Sequence, residues 1–374
     1  MTGGSARTIS AAETVCSPAP RADWEAVLAS APRALPTQRP DWLRSVCAVD
    51  GYQDVSRLYR TGDGRRLVLP LVRRPVPGVA GRWAPLASLP VGWGPGGLVG
   101  EDGVLRPEDV RMVVADLAGA GAVDVHLRPD PASAAVWESA VPARVVRQPA
   151  MAQTVPLDGG FDRVWRTRFR GDTRNRVRRA ERAGVVVERD DTGALVPVFH
   201  RLYALSVARW AARDGIPPAL ARRRAARREP EQKLRTVAGD PATGCRIYGA
   251  FHDGRPVAAI VVLFPPGLWS SAPAVGPGAA AYWRGAMDED RAGHTYANYL
   301  LHRTAIQDAA DAGCPAYHMG ESAPGSPLAL FKSRFGAVEQ HYAGYRLAPP
   351  AVTALIAARR RAARTARTLL TRWV

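Results

Sequence analysis

The sequence predicts an α+β protein of two units in tandem, each a mixed, mainly antiparallel sheet flanked by helices. The 374 residues suit two domains of ordinary size, and an apolar share of 47% is enough for packed cores. The order hairpin, strand, loop, helix, strand also occurs twice along the chain, although no residue-level repeat of fixed period accompanies it.

The first half begins with two short helical patterns and a hairpin. TGDG (61–64) separates two β-branched runs, which is a strong hairpin signal. A glycine-rich passage, "LPVGWGPGGLVG" (89–100), follows the hairpin. The predicted elements of this half are helices near 24–30, 41–48, 107–119 and 132–139 and strands near 55–60, 65–74 and 122–128.

The second half repeats this order on a larger scale. DGRP joins two apolar runs and predicts a second hairpin. The predicted helices lie near 173–183, 198–213, 220–235, 295–312 and 328–336, and the strands near 185–189, 245–252, 257–264, 279–284, 316–319 and 339–346. The helix at 220–235 is expected to be charged and exposed.

These elements divide the chain into four predicted segments. They are a disordered tail at 1–20, a first domain at 21–150, a second domain at 151–347 and a basic C-terminal helix at 348–374. The N-terminus has no apolar signal-peptide core, and no run of 18 apolar residues occurs. Four scattered cysteines without metal-ligand spacing are typical of reduced thiols. We therefore expect a cytoplasmic monomer without a bound metal.

Positive charge dominates the chain. Lysine and arginine number 51 against 34 acidic residues, giving a net charge of +17, and only Lys233 and Lys332 are lysine. Part of this bias reflects codon usage, but the surplus over acidic residues indicates a polyanionic partner.

A long positive stretch precedes a β-branched run, "RFRGDTRNRVRRAERAGVVVE" (168–188), with seven arginines. On a helix, Arg174, Arg178 and Arg182 share one face, where guanidinium groups can bind phosphate oxygens in bidentate geometry. Three interpretations stay open: a solvated helix face, a phosphate-binding track for a tRNA acceptor stem, and a membrane contact. The membrane interpretation is disfavoured because the stretch has no bulky apolar face.

Four segments of the second half resemble the Fem-type aminoacyltransferases. They are "TRNRVRRAERAGVVVE", "AAAYWRGAMDE", the helix ending "AIQDAADAGC" and "LFKSRFG". The resemblance extends over about 161–346 and implies two copies of the GNAT acyltransferase fold. It also implies transfer of an amino acid from aminoacyl-tRNA to an amine, in a peptidoglycan precursor or a small natural-product intermediate, without ATP or a cofactor.

The alternative donor within this superfamily is an acyl-coenzyme A. A GNAT domain binds its pyrophosphate at a glycine-containing loop that precedes the long helix. Here the corresponding loop places His294 and Tyr296 where small residues are needed, beside Asp288, Glu289 and Asp290. Carboxylates repel an anion at such range, which disfavours coenzyme A.

"LFKSRFG" contains the candidate catalytic residue, Lys332. Fem-type enzymes carry a Phe-Lys pair at the corresponding place, and a fixed ammonium group would stabilise the oxyanion that forms when an amine attacks the ester. The alternative is an ordinary surface lysine. Phe331 is expected either to stack near the terminal adenosine or to pack in the core. The full set of predicted tRNA-binding residues is Arg174, Arg178, Arg182, Phe331, Lys332 and Arg334.

The acceptor is expected to bind beside the ends of the strands. The predicted acceptor-binding residues are Trp93, Tyr282, Arg284, His318 and Glu321. His318 and Glu321 end one strand, where a general base is also possible. The sequence therefore predicts a tRNA-dependent aminoacyltransferase, with an acyl-CoA-dependent N-acyltransferase and a catalytically idle RNA-binding module as alternatives.

Overall fold

A computed structural model of the chain describes residues 5–10, 13–78, 81–268 and 278–348. Helices flank two sheets, one of five strands and one of eleven. Among the strand pairs of the described residues, all but two are antiparallel, so the predicted mixed, mainly antiparallel α+β fold is confirmed.

The first half supplies nine strands and four helices. The strands are β1 (Ser5–Ser10), β2 (Glu13–Ser17), β3 (Gln53–Asp54), β4 (Arg57–Arg60), β5 (Arg66–Leu69), β6 (Val72–Arg73), β7 (Leu86–Ala87), β8 (Val99–Gly100) and β9 (Val125–Leu127). The helices are α1 (Arg21–Ser30), α2 (Pro40–Asp50), α3 (Pro107–Gly119) and α4 (Ala134–Ala140).

The second half supplies seven strands and eight helices. The strands are β10 (Val146–Pro156), β11 (Val186–Asp190), β12 (Cys245–His252), β13 (Arg255–Leu263), β14 (Ala280–Met287), β15 (Ala316–Glu321) and β16 (Val338–Leu347). The helices are α5 (Gly160–Arg163), α6 (Gly171–Arg182), α7 (Val196–Arg213), α8 (Pro218–Arg228), α9 (Glu231–Ala238), α10 (Glu289–Thr295), α11 (Ala297–Asp311) and α12 (Pro327–Ser333).

The large sheet joins the two halves. Its strand order is β11-β12-β13-β14-β15-β10-β16-β9-β7-β6-β3, while the small sheet has the order β1-β2-β4-β5-β8. The junction is the antiparallel pair β16–β9, where Arg346 also binds Asp124 with two nitrogen–oxygen distances of 2.6 Å. Each half contains one parallel pair, β7–β9 and β14–β15, connected through helices. This shared crossover agrees with the repeated order of elements in the sequence.

The N-terminal half differs from the sequence prediction in two places. The predicted disordered tail is wrong for residues 13–17, because β2 pairs with β4 in the small sheet. The single strand predicted at 65–74 is divided at Pro70, which has no N–H to donate, and its two parts enter different sheets.

The second half also differs from its prediction. β10 has no counterpart among the predicted strands, and the predicted domain boundary at 150/151 falls inside it. The helix predicted at 220–235 ends before Pro230 and resumes as α9, which is partly buried rather than exposed. Tyr296, with φ of 55°, likewise separates α10 from α11. The described residues end at position 348, so the C-terminal helix predicted at 348–374 lies outside them except for its first residue.

One core cluster is shared by both halves. Trp42 and Trp93 from the first half contact Trp283 from β14, with ring centroids 5.0 to 5.9 Å apart. Over the described ranges, none of the helices has the length and apolar character needed to cross a membrane.

Candidate active site

A cavity opens where β14 and β15 separate. These parallel strands share only two residue pairs, Ala280 with Tyr317 and Ala281 with His318, at their N-terminal ends. The residues that follow on both strands line a cavity of about 370 Å³, here called the central cavity. Its first-half lining includes Thr37, Gly92, Gly94 and Arg128. Its second-half lining includes Arg228, Tyr282, Arg284, His318, Glu321 and Lys332.

Lys332 lies in the wall of the central cavity, on α12. Ser326 caps this helix by accepting from the Ala329 N–H, and the Gln153 side chain of β10 donates to the Ala329 carbonyl at 3.0 Å. Lys332 is only 2% exposed, so it is not the surface lysine of the alternative interpretation. Both β10 and the cap fix the position of its helix.

Two backbone carbonyls hold the Lys332 ammonium group. Its Nζ donates to the carbonyl of Gly320 at 3.0 Å and to that of Glu321 at 2.9 Å. Gly320 has a φ of 75°, which lets β15 turn both carbonyls toward Lys332. An ammonium group has three donors, so one N–H remains for a ligand in the cavity. Burial lowers the pKa of Lys332 to about 8, against a smaller opposing effect of Glu321, and the group is therefore mostly charged at neutral pH.

His318 lies in this site as a neutral ring that accepts a backbone hydrogen bond. Its Nδ1 accepts from the Gly320 N–H at 3.1 Å, which assigns the proton of the neutral ring to Nε2. Burial and the Lys332 ammonium lower the pKa of His318 to about 4. His318 is 6% exposed, and its Nε2 has no hydrogen-bond partner among the described residues. A general base at His318 is disfavoured, because the lone pair of its Nδ1 is engaged by the Gly320 N–H.

Glu321 is the one carboxylate among the described residues that line the central cavity. It accepts from Arg128 and from the Tyr342 hydroxyl. Burial alone would raise the pKa of Glu321, but Arg128 and Tyr342 outweigh burial and lower it. The group is therefore ionised at neutral pH, and Arg128 ties it to the first half.

An ion cluster forms the opposite wall. Arg284 donates to Glu229 at 2.9 Å, and the buried Lys233 lies 3.1 Å from the same carboxylate. The Gly92 carbonyl accepts from Arg284, from Lys233 at 3.4 Å and from the Trp283 indole at 3.1 Å. With a φ of 94°, Gly92 adopts a conformation that a side chain would strain. This cluster fixes the glycine-rich passage against β14.

Two predicted acceptor-binding aromatics differ in their placement. Tyr282 lines the central cavity and contacts the His302 ring at 4.9 Å, and burial raises the pKa of Tyr282 to about 12. Trp93 does not line the cavity, so its predicted role is wrong. It is fully buried, and its indole donates to Asp50 at 2.7 Å.

The predicted tRNA-binding residues other than Lys332 lie outside the lining of the central cavity. Arg174 donates to backbone carbonyls at the preceding turn, including that of Trp165 at 3.3 Å, whereas Arg178 and Arg182 are exposed on the same helix. Arg334 contacts the Tyr299 hydroxyl at 3.2 Å. These residues place α6 beside α12, behind the wall that holds Lys332.

Phe331 packs behind that wall. Its ring lies 5.1 Å from Tyr299, 5.5 Å from His302 and 5.1 Å from Phe335. The packing alternative stated for Phe331 is therefore the one that the contacts favour.

Several residues of the site escaped the sequence prediction. Arg128 and Arg228 look like many other arginines, and nothing local marks them. Lys233 did carry a signal, because it is the only lysine of the sequence besides Lys332. It is buried behind the cavity lining and pairs with Glu229, which also binds Arg284.

The comparisons with known proteins agree with this arrangement. The model of the family described as "Acetyltransferase (GNAT) domain" matches residues 167–325. The crystal structure of FemX superposes with a TM-score of 0.58 at 13% identity, over 94% of this chain and 99% of that chain. The chain has a Fem-like GNAT fold. Lys332 and α12 follow directly after the matched GNAT segment.

A second solved structure extends the likeness of the Fem-like GNAT fold. It is a conserved protein of unknown function from Bacteroides thetaiotaomicron, with a TM-score of 0.52 at 11% identity, over 88% of this chain and 97% of that chain. No curated protein matches the sequence. At these identities the likeness concerns the fold, and the GNAT match supports an acyltransferase.

Proposed function

We propose that the protein transfers an amino acid from aminoacyl-tRNA to an amine and forms an amide bond. The observation that carries this proposal is the buried Lys332 ammonium group in a cavity that both halves line. An aminoacyl ester is already activated, so the reaction needs alignment of amine and ester together with stabilisation of developing negative charge.

The chemistry follows from one buried donor. The acceptor nitrogen attacks the ester carbonyl, the new C–N bond forms, and the carbonyl oxygen becomes an oxyanion. The remaining N–H of Lys332 stabilises that oxygen. The C–O bond to the ribose then breaks, the amine loses a proton, and the ribose oxygen gains one.

The charges of the cavity suggest the kind of acceptor. Arg128, Arg228, Arg284 and Lys332 line it against the single carboxylate of Glu321 among described residues. The positive surplus favours an amine that also carries a carboxylate or phosphate group. A peptidoglycan precursor or a small natural-product intermediate would meet this requirement.

The match to an acetyltransferase domain favours a second candidate, an acyl-CoA-dependent N-acyltransferase. The connection between β14 and the long helix argues against it. Asp288 is the N-cap of α10, Glu289 and Asp290 lie in its first turn, and α11 begins after Tyr296 without a glycine. An incoming pyrophosphate would meet carboxylates instead of free backbone N–H groups.

Two assays distinguish the candidates. We expect transfer of a radiolabelled amino acid from a charged tRNA pool to small carboxylate-bearing amines, and no heat of binding on titration with acetyl-CoA. Micromolar affinity for acetyl-CoA together with acetyl transfer would replace the proposal by the second candidate. Binding of tRNA without any transfer would instead indicate an RNA-binding module.

A further inference from the structure

The helix α8 has an unusual surface for its size. None of its residues is buried, and it packs against α7. Arg223 and Arg227 are four residues apart, as are Arg224 and Arg228, so the four guanidinium groups share one exposed face. Ala221 and Ala225 lie on the other face and are half-buried.

The arginines of α8 have no acidic partner among the described residues. The arginines of α6 differ, because Arg174 binds carbonyls, Arg176 binds Asp172 at 2.8 Å and Arg179 stacks on Tyr296. The guanidinium groups of α8 therefore remain available to an anionic partner, whereas α6, which also contains five arginines, offers only part of its own.

The position of α8 connects this charge to the site. Arg228, at the end of the helix, lines the central cavity that also contains Lys332. The 11 residues of α8 extend for about 16 Å, which is several phosphate spacings of a nucleic-acid strand. We propose that α8 binds the phosphate backbone of the acceptor stem and directs its 3′ end into the central cavity.

This inference rests on the proposed function, since it assigns the docking surface of the same donor. An RNA is favoured over a membrane because Leu220 is the only bulky apolar side chain of α8, and insertion of a helix into lipid needs an apolar face. Guanidinium groups on one rigid face suit phosphates held at fixed spacing.

The test measures binding of an acceptor-stem RNA hairpin with a single-stranded CCA end, by fluorescence anisotropy at several salt concentrations. One variant combines Arg223→Glu, Arg224→Glu and Arg227→Glu. Its control combines Arg111→Glu, Arg144→Glu and Arg255→Glu, three exposed arginines elsewhere that change the net charge equally. A version of the first variant with Gln at the same positions keeps helix propensity high, and circular dichroism checks the fold of each.

We expect the α8 variant to weaken binding by more than about tenfold and to reduce the slope of log affinity against log salt by about 2 to 3. The control should stay within about threefold of the original protein. Equal losses in both variants would overturn the inference in favour of general charge attraction. The inference would be overturned in favour of a membrane if the protein bound vesicles of anionic phospholipid, lost this binding in the α8 variant, and did not bind the RNA.

A minimal donor separates this inference from the proposed function. An aminoacyl ester of a short CCA oligonucleotide has no stem for α8 to bind, so the α8 variant should use it at an unchanged rate. If the original protein transfers the amino acid but α8 has no influence on hairpin binding, the inference fails and the function stands. If the original protein transfers nothing from this donor, the proposed function fails.

Discussion

The two lysines of this arginine-rich chain are both buried, but Lys332 lines the central cavity whereas Lys233 lies in the ion cluster with Glu229 and Arg284. Lys233 is 2% exposed, pairs with Glu229 and lies 4.5 Å from the centroid of the Trp93 ring. Lys332 is equally buried but is held by two carbonyl oxygens, while the nearby Glu321 carboxylate is bound by Arg128 and Tyr342.

This difference separates a charge used within an ion cluster from the charge that we propose to be catalytic. The charge of Lys233 is neutralised within its own ion cluster, whereas that of Lys332 is left for the central cavity. Burial lowers the pKa of both ammonium groups, and Glu229 opposes that effect at Lys233. A cation held by carbonyl dipoles alone retains most of its field for a developing oxyanion.

Removing the anion from the Lys233 cluster should have the largest effect. Glu229→Gln leaves Lys233 and Arg284 side by side without a carboxylate, and we expect a loss of about 3–5 kcal/mol in the free energy of unfolding. Urea denaturation followed by circular dichroism measures it. Adding Lys233→Met should restore part of the loss, and an unchanged urea midpoint for Glu229→Gln would show that the cluster is not structural.

Removing the charge of Lys332 should lower the rate of amino-acid transfer rather than the free energy of unfolding. For Lys332→Ala we expect a single-turnover transfer rate about 10²–10³ lower at saturating donor, the usual effect of one lost electrostatic donor. Lys332→Met, which keeps the volume, should lose a similar factor, and Lys332→Arg should recover only part of it. A rate within about threefold of the original would reduce Lys332 to a packing residue.

The pH dependence gives the smallest of the three effects. The pKa of Lys332 is about 8, so the ammonium form, and with it the rate, should fall tenfold per pH unit above this value. An acceptor amine with a pKa below about 7 keeps its own titration out of the range. His318, with a pKa of about 4, does not titrate there. In Lys332→Arg the decline should vanish, and its persistence would assign it to another group.

Local patterns predicted much of the fold. The turns TGDG and DGRP joined neighbouring runs, and the structure has antiparallel pairs at both places, β4–β5 and β12–β13. These predictions succeed because both partners of a hairpin and its turn lie in one short stretch of sequence.

The strands that the sequence did not predict depend on pairing with segments distant in the chain. β10 contains Pro149 and two glutamines, and it becomes a central strand only because β15 and β16 pair with it on either side. β2 likewise depends on β4, more than 40 residues away in the chain. In neither case does the strand's own sequence show the partner that stabilises it.

The candidate site likewise combines features that the sequence predicted with features that depend on the tertiary structure. The sequence by itself singled out Lys332 as a candidate catalytic residue, and the structure places it, buried, in the wall of the central cavity. The tertiary structure decided that Trp93 is buried in the core, that the Nδ1 of His318 accepts from the Gly320 N–H, and that Arg128 and Arg228 line the central cavity. The physical reason is that a side chain's burial and its hydrogen-bond partners depend on residues distant in the chain, which only folding brings together.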